Sequence, residues 1–338
     1  MTTYFITGGE GLIGYHLCKL LLENKDNRII IYDALKHCLP LSESNWCYYQ
    51  DYRVKNLKDE RLTRVRGDLL SRGFLTETLE KFKPEIIIHL ASMSIANVSH
   101  IYPEEATNDI FLNTVTLLDV IRSLSYKINR LVYISSSMVY GDFLKDEKGN
   151  VLPAKEDQHC NPKCIYGTMK RSGEIMVKTY NKRFGIPFVI VRPSAVYGPT
   201  DCNKRVTEIF VMNAILGREL ELDNGGMHML DFTYVKDIAQ GIALAATSDK
   251  ALGETFNITT GEGRTIKDMG EILLKLCPDS GSKMVVEQRD VYRPNRGTLD
   301  ISKAKNLLGY KPQYHLETGM KEYVEFVKDT IIKENRVN

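Results

Sequence analysis

A buried strand that runs straight into a glycine-rich turn and then a helix constrains this chain more than any other feature. Tyr4-Phe5-Ile6-Thr7 reads as the strand. Gly8-Gly9-Glu10-Gly11-Leu12-Ile13-Gly14 follows at once, and Leu17, Leu20 and Leu21 then recur at helical spacing. Glycines at 8, 11 and 14 permit a tight turn and let the backbone approach a pyrophosphate at the amino end of the helix. The spacing is G-x-x-G-x-x-G. Alone it says little; between a strand and a helix it predicts a dinucleotide loop.

The next strand, Arg28 to Asp33, ends on a carboxylate about 20 residues after the loop. There it can accept hydrogen bonds from ribose hydroxyls and would repel a 2′-phosphate, which favours NAD over NADP. Residues 34–60 read as a long polar connection carrying Trp46, Tyr48, Tyr49 and Tyr52, of the kind that is functional or mobile. Leu62 to Val65 is expected as a third strand ending at Gly67-Asp68, where the acid faces an adenine or merely caps a turn. Glu85 to Ser92 is expected as a fourth strand, its residues shrinking toward the carboxyl end to Ala91 and Ser92. His89 within it is expected to be structural. The segment 104–124 reads as one helix.

Leu131-Val132-Tyr133-Ile134 predicts a strand tipped by Ser135, Ser136 and Ser137. Downstream, Tyr166 and Lys170 lie four apart and share one helix face. A hydroxyl, a phenol and an ammonium so gathered can draw a proton off an alcohol. The Tyr-x-x-x-Lys spacing also occurs at Tyr15 with Lys19 and at Tyr32 with Lys36. Only Tyr166 follows the serine-tipped strand. Residues 187–191 give a further strand before Arg192-Pro193. Strands alternating with helices to this point predict an α/β fold with a doubly wound parallel sheet, ligands lying at the carboxyl ends of its strands.

Past Tyr197-Gly198-Pro199 the alternation breaks. A smaller α+β lobe is expected, with a cofactor domain over 1–192 plus 229–256 and a substrate lobe over 193–228 plus 257–335. Thr265 and Asp268 form a candidate capping box. Arg289, Arg293 and Arg296 fall in one stretch, where three guanidiniums can bind a diphosphate or simply face solvent.

Composition narrows the function classes. The chain has 338 residues, 26% charged, with a net charge of +2, so nothing argues for a nucleic-acid partner. No apolar run of about 18 residues suits a membrane span. The amino terminus enters a strand directly, which is an expectation against a signal peptide. Seven scattered cysteines without C-x-x-C spacing predict a reducing cytoplasm and no metal site.

Taken in order, these motifs resemble the extended short-chain dehydrogenase/reductase superfamily. Within it, they resemble the NAD-dependent nucleotide-sugar epimerase/dehydratase family. The resemblance rests on the glycine loop, Asp33, Gly67-Asp68, His89-Leu90-Ala91 and Ser135 to Gly141. It also takes in Tyr166 to Lys170, Arg192-Pro193, Val196 to Pro199, Asp231-Phe232, Asp300 to Ala304 and Leu308-Gly309-Tyr310. It implies a Rossmann domain, a smaller substrate lobe, often a homodimer, and a nucleotide-diphosphate sugar as substrate. It implies Tyr166 as base, Lys170 as the group that lowers its pKa and holds the nicotinamide ribose, and Ser136 as the catalytic hydroxyl, with Ser137 beside it. NAD contacts are implied for Gly8, Gly11, Leu12, Ile13, Gly14, Asp33, Asp68, Leu69, Leu90, Ala91, Ser92, Ser135 and Pro193, besides Tyr166 and Lys170. Substrate contacts are implied for Ser94, Met138, Arg218, Arg289, Arg293 and Arg296.

The 4,6-dehydratases of this family usually carry a glutamate where this chain has Met138, so the resemblance implies oxidation at sugar C4, with 4,6-dehydration as a less favoured alternative. An epimerase returns the hydride; a 4-dehydrogenase keeps it; a non-catalytic nucleotide sensor would use neither. Two departures stand out: Leu230 replaces the family's phosphate-binding arginine, and Ile110 replaces an asparagine near NAD, with Asn108 and Asn113 close by.

Overall fold

The computed structural model describes residues 1–36, 39, 45–287 and 295–334. Its first half is built from β1 (Thr2–Thr7), α1 (Leu12–Leu22), β2 (Asn27–Asp33), α2 (Trp46–Asn56), β3 (Leu62–Arg66), α3 (Arg72–Phe82) and β4 (Ile86–His89). Two short helices, α4 (Ala96–Ile101) and α5 (Pro103–Ala106), lead through a π-helical turn (Thr107–Leu112) into α6 (Asn113–Ser123). β5 (Arg130–Ile134), α7 (Ile165–Phe184) and β6 (Phe188–Arg192) follow. The second half contributes β7 (Val196–Tyr197), α8 (Val206–Leu216), β8 (Leu220–Asp223), β9 (Met229–Asp231), β10 (Thr233–Tyr234), α9 (Val235–Thr247) and β11 (Thr255–Asn257). The chain continues through β12 (Gly263–Thr265), α10 (Ile266–Leu276), β13 (Met284–Glu287), α11 (Ser302–Leu308) and α12 (Leu316–Val327).

Seven strands form one sheet in the order β11-β6-β5-β4-β1-β2-β3. Every pairing in it is parallel. The order reverses direction between β1 and β4, and a crevice opens at the carboxyl ends there. Parallel strands are covered on both faces, so β1, β4, β5 and β6 are buried along most of their length. One face packs against α1 and α9, the other against α3, α6 and α7. A separate core in the smaller lobe joins Phe210, Leu220, Phe232, Met269, Met320 and Val324. Ala304 and Leu308 of α11 pack into the core beneath the sheet.

Several sequence expectations change. The connection 34–60 is not irregular throughout: it contains α2, whose Tyr49 stacks on Phe326 at 6.1 Å in the smaller lobe's core. That partner is remote in sequence, and α2 itself has no apolar stripe to announce it. β4 stops at His89 because Leu90 to Ser92 turn away at the crevice. The segment 104–124 is not one regular helix, because the π-helical turn interrupts it. The seventh strand, β11, is a short one that the sequence pattern did not separate from its surroundings. The capping box at Thr265 and Asp268 is present, with both reciprocal bonds formed. Among the described residues, no helix is long and apolar enough to cross a membrane.

Candidate active site

A cavity of about 750 Å³ lies at the carboxyl ends of β1, β4 and β5. Its floor is the glycine loop. Gly8 has φ +69°, and a Cβ there would meet the Ala91 amide nitrogen at 2.6 Å. A Cβ on Gly14 would strike the Gly9 Cα at 2.5 Å. The loop therefore lies flat against its neighbours, with no room for a Cβ at Gly8 or Gly14. Asp33 accepts backbone N–H groups from Leu35 at 2.8 Å and Glu10 at 3.1 Å. Desolvation still raises its pKa, with those bonds opposing. Asp68 lies alongside and pairs with Lys36 at 2.6 Å. Its own desolvation is outweighed by that ammonium, which holds it below the usual carboxylate range.

At the other end, the tip of β5 meets the first turn of α7. Met138 N–H donates to Ser136 Oγ at 3.2 Å and closes a tight turn over 137–140. α7 starts at a cysteine cap, where the Cys164 sulfur accepts the Gly167 N–H at 3.3 Å. Gly167 packs directly on the serine turn; a Cβ there would stand 2.5 Å from the Met138 carbonyl oxygen. This close approach brings Tyr166 near the Ser136 hydroxyl, which favours the phenolate. Lys170, one turn on and 4% exposed, donates to the Ile134 carbonyl at 2.8 Å. Its Nζ lies 6.0 Å from the centre of the Tyr166 ring.

The electrostatics differ from the expectation. Burial raises the Tyr166 phenol above 10.0, while Ser136 and the Arg205 guanidinium pull it down. Burial lowers Lys170 to about 7, opposed by the Glu174 carboxylate one turn later. Arg205, which the sequence left unassigned, is thus one cation that acts on the phenol. Lys170 spends its charge on the end of β5. Behind them, Glu174 and Arg192 form a fully buried bidentate pair with both contacts at 2.8 Å. Arg192 also donates to the Tyr140 hydroxyl at 2.9 Å, and that hydroxyl donates to Asn257.

Most of the expected residues converge. Gly8, Gly11, Leu12, Ile13, Gly14, Asp33, Asp68, Leu69, Leu90, Ala91, Ser92 and Ser135 all line the cavity. So do Ser94, Ser136, Tyr166, Lys170 and Pro193. Others do not. Ser137 is 1% exposed and its N–H is held by the Pro193 carbonyl at 2.9 Å, so the turn points it away. Met138, Arg218 and Arg296 are not on the cavity wall. Arg218 is exposed beyond the end of α8, where its N–H closes the helix on Asn213. Arg289 and Arg293 lie outside the described residues.

Ile110 is core, 1% exposed, whereas Asn108 and Asn113 both line the cavity. Leu230 is buried in the lobe's core, and its β12 neighbour Arg264 pairs with Glu317 at 2.6 Å. His89 is bonded to Thr7 at 2.7 Å and Thr114 at 3.1 Å, and burial lowers its pKa to about 3. It is structural. The sequence reading missed Arg53, Asn203 and Arg205 on the wall. The last two sit just past the Tyr197-Gly198-Pro199 turn, where the strand-helix alternation fails, and that break was the one signal available.

The cavity suits a dinucleotide. Its glycines leave a cradle that a Cβ would fill, and Asn113 Oδ1 is a buried acceptor without a partner among the described residues. No group of described residues has the makings of a metal site.

Comparison with known proteins agrees with this geometry. The model of a family described as GDP-mannose 4,6 dehydratase matches residues 5–323. An uncharacterized protein of Methanocaldococcus jannaschii is 30% identical, the match covering 94% of each chain. A Bacillus subtilis protein named uncharacterized UDP-glucose epimerase YtcB is also 30% identical, over 95% of this chain and 96% of its own. The crystal structure of UDP-glucuronic acid 4-epimerase from Bacillus cereus, in complex with UDP-glucuronic acid and NAD, superimposes with a TM-score of 0.87. That chain is 26% identical, with 97% of this chain and 99% of the other covered. A family match over nearly the whole length, on a crevice built for a dinucleotide, gives the conclusion: the chain belongs to the GDP-mannose 4,6 dehydratase family, NAD-dependent nucleotide-sugar epimerases and dehydratases of the extended short-chain dehydrogenase/reductase superfamily.

Proposed function

We propose that this protein inverts C4 of a nucleotide-diphosphate sugar by transient oxidation. The observation that carries this is one cavity holding both the Asp33-terminated glycine loop and the Ser136, Tyr166, Lys170 set. NAD, when bound, supplies the hydride acceptor. Gly8, Gly11 and Gly14 would admit its pyrophosphate and Asp33 its adenosine ribose. Tyr166 takes the proton of the C4 hydroxyl, and Ser136 holds the reacting oxygen. Lys170, fixed by Ile134, holds a positive charge beside them. Arg205 adds a second positive charge, which favours the phenolate. Ser94 and Ala195 are small and leave a keto sugar room to turn before the reaction runs back.

Dehydration needs a group to move a proton at C5 or C6. Ser137 is turned away and Met138 cannot exchange one, which supports epimerisation. A guanidinium at the sugar end matches an anionic substituent, and the B. cereus enzyme binds UDP-glucuronic acid. UDP-hexuronic acids are therefore the first substrates to test. Exposed Ile101 on α4, with Ile175 and Phe184 on α7, supports a homodimer through these helices, which size-exclusion chromatography with light scattering would test. Work in the cytoplasm fits the free cysteines.

The test is product analysis by NMR. C4-inverted sugar without net NADH is the expected result. Released 4-keto sugar with accumulating NADH would instead make it a 4-dehydrogenase. Full biological activity of Tyr166→Phe would leave only a nucleotide sensor.

A further inference from the structure

The glycine loop and the loop that carries Asn203 and Arg205 are nearly 190 residues apart in sequence, yet one side chain grips both. Arg53 of α2 is 2% exposed. Its Nη1 donates to the Glu10 carbonyl, in the middle of the glycine loop, at 2.8 Å. Its Nε donates to Thr200 Oγ1 at 3.2 Å. Its Nη2 donates to the Thr200 carbonyl and reaches the Cys202 sulfur at 3.7 Å. A planar guanidinium can serve two loops at once; an ammonium of similar reach cannot.

Each loop is otherwise defined at this point. Glu10 is held by Arg64 at 2.6 Å and by Gln50, one turn before Arg53 on α2, at 3.3 Å. Its amide is the one bound to Asp33 at 3.1 Å. The other loop is strained: Ala195, Thr200 and Lys204 have φ of +37°, +73° and +47°. A β-branched residue at positive φ is an outlier that persists only where its surroundings over-determine it. The Arg53 bonds supply that restraint. Immediately after Thr200, Asp201 accepts from Arg205 and Asn203, each at 3.1 Å, and Asn203 accepts from Ser94 at 3.3 Å. A shift at Thr200 is thus passed on within a few residues to the sugar end of the cavity.

We propose that Arg53 is a positioning residue that couples the two halves of the site, so that a dinucleotide on the glycine loop sets the Thr200–Arg205 loop for the nucleotide sugar. The identity of the second ligand rests on the function proposed above; the coupling itself needs no turnover. Coupling between sites is reciprocal. A nucleotide on the sugar side must therefore tighten NAD binding, which, with the on-rate unchanged, slows the loss of NAD.

The experiment measures NAD release from the full-length protein, loaded with NAD, with and without saturating UDP. In the native protein UDP slows release about tenfold. In Arg53→Lys the ratio collapses toward unity while the melting curve stays cooperative. A purely structural defect would speed release in both conditions and leave the ratio alone. Thr200→Gly covers the case in which the Arg53 variant does not fold, since it relieves the strain and removes one acceptor while leaving Arg53 in place; its ratio should also fall. A native-like ratio in a folded Arg53→Lys overturns the proposal. So does a native-like ratio in Thr200→Gly should Arg53→Lys not fold, and so does a native protein whose NAD release ignores UDP. Failure of the native enzyme to invert UDP-hexuronic acids would count against the proposed function alone.

Discussion

Lys170 donates its ammonium to the Ile134 carbonyl at 2.8 Å, at the point where β5 ends and the serine turn begins. The lysine is therefore a strand-end clamp as well as a charge. Tyr166 has no such duty to the backbone. Tyr166→Phe should cut kcat about a hundred- to ten-thousand-fold and leave NAD content unchanged. Lys170→Met should lower kcat and NAD content together, because it frees the serine turn. Steady-state kinetics with chromatographic assay of bound NAD separates the two.

Gly167 meets the Met138 carbonyl with no room for a side chain. Gly167→Ala must push the first turn of α7 away from Ser136. A misplacement of about 1 Å should lower kcat about a hundredfold. The overpacking itself should cost about 1–3 kcal/mol, read from a denaturant midpoint. A variant with native kcat would show that the serine turn yields instead.

Arg192 and Glu174 are 1% and 0% exposed, and each is the other's principal charge partner. Arg192→Met would leave the buried Glu174 carboxylate with only the partly exposed Arg171, at 2.7 Å, and should destabilise the protein by up to about 3 kcal/mol in urea unfolding. Tyr140→Phe removes one bond from the same network and should cost about 1 kcal/mol.

His89 is held neutral, its pKa lowered by burial from 6.5 to about 3. The unfolded chain binds that proton more readily, so stability is whole above pH 6.5 and is lost as pH falls from there toward 3. His89→Gln should flatten this part of the stability-against-pH curve while lowering its plateau, since Thr7 and Thr114 lose a fitted partner. Thermal melts across that range check the slope.

The alternating half of the fold was legible because its physics is local. A buried parallel strand is a short apolar run, and a glycine turn before a helix has few other uses. Tyr166 could be told from Tyr15 and Tyr32 by the strand before it. Arg53, Asn203 and Arg205 could not be found this way, because each acts through a partner remote in sequence. α2 was illegible for a related reason: its aromatic residues pack on Phe326, across the chain. The reverse case is Arg218, a substrate contact implied only by the family resemblance, which the end of α8 carries to an exposed position off the cavity wall.

The π-helical turn at 107–112 closes with the Asn113 N–H on the Asn108 carbonyl. Five residues of ordinary α-helix rotate a side chain by about 500°, which would send these two asparagines to different sides. The wider winding aligns them, and both reach the cavity wall. Deleting a single residue inside that turn would restore ordinary winding and swing one of the two amides outward. An indel here is thus a change of wall chemistry made without exchanging any wall residue.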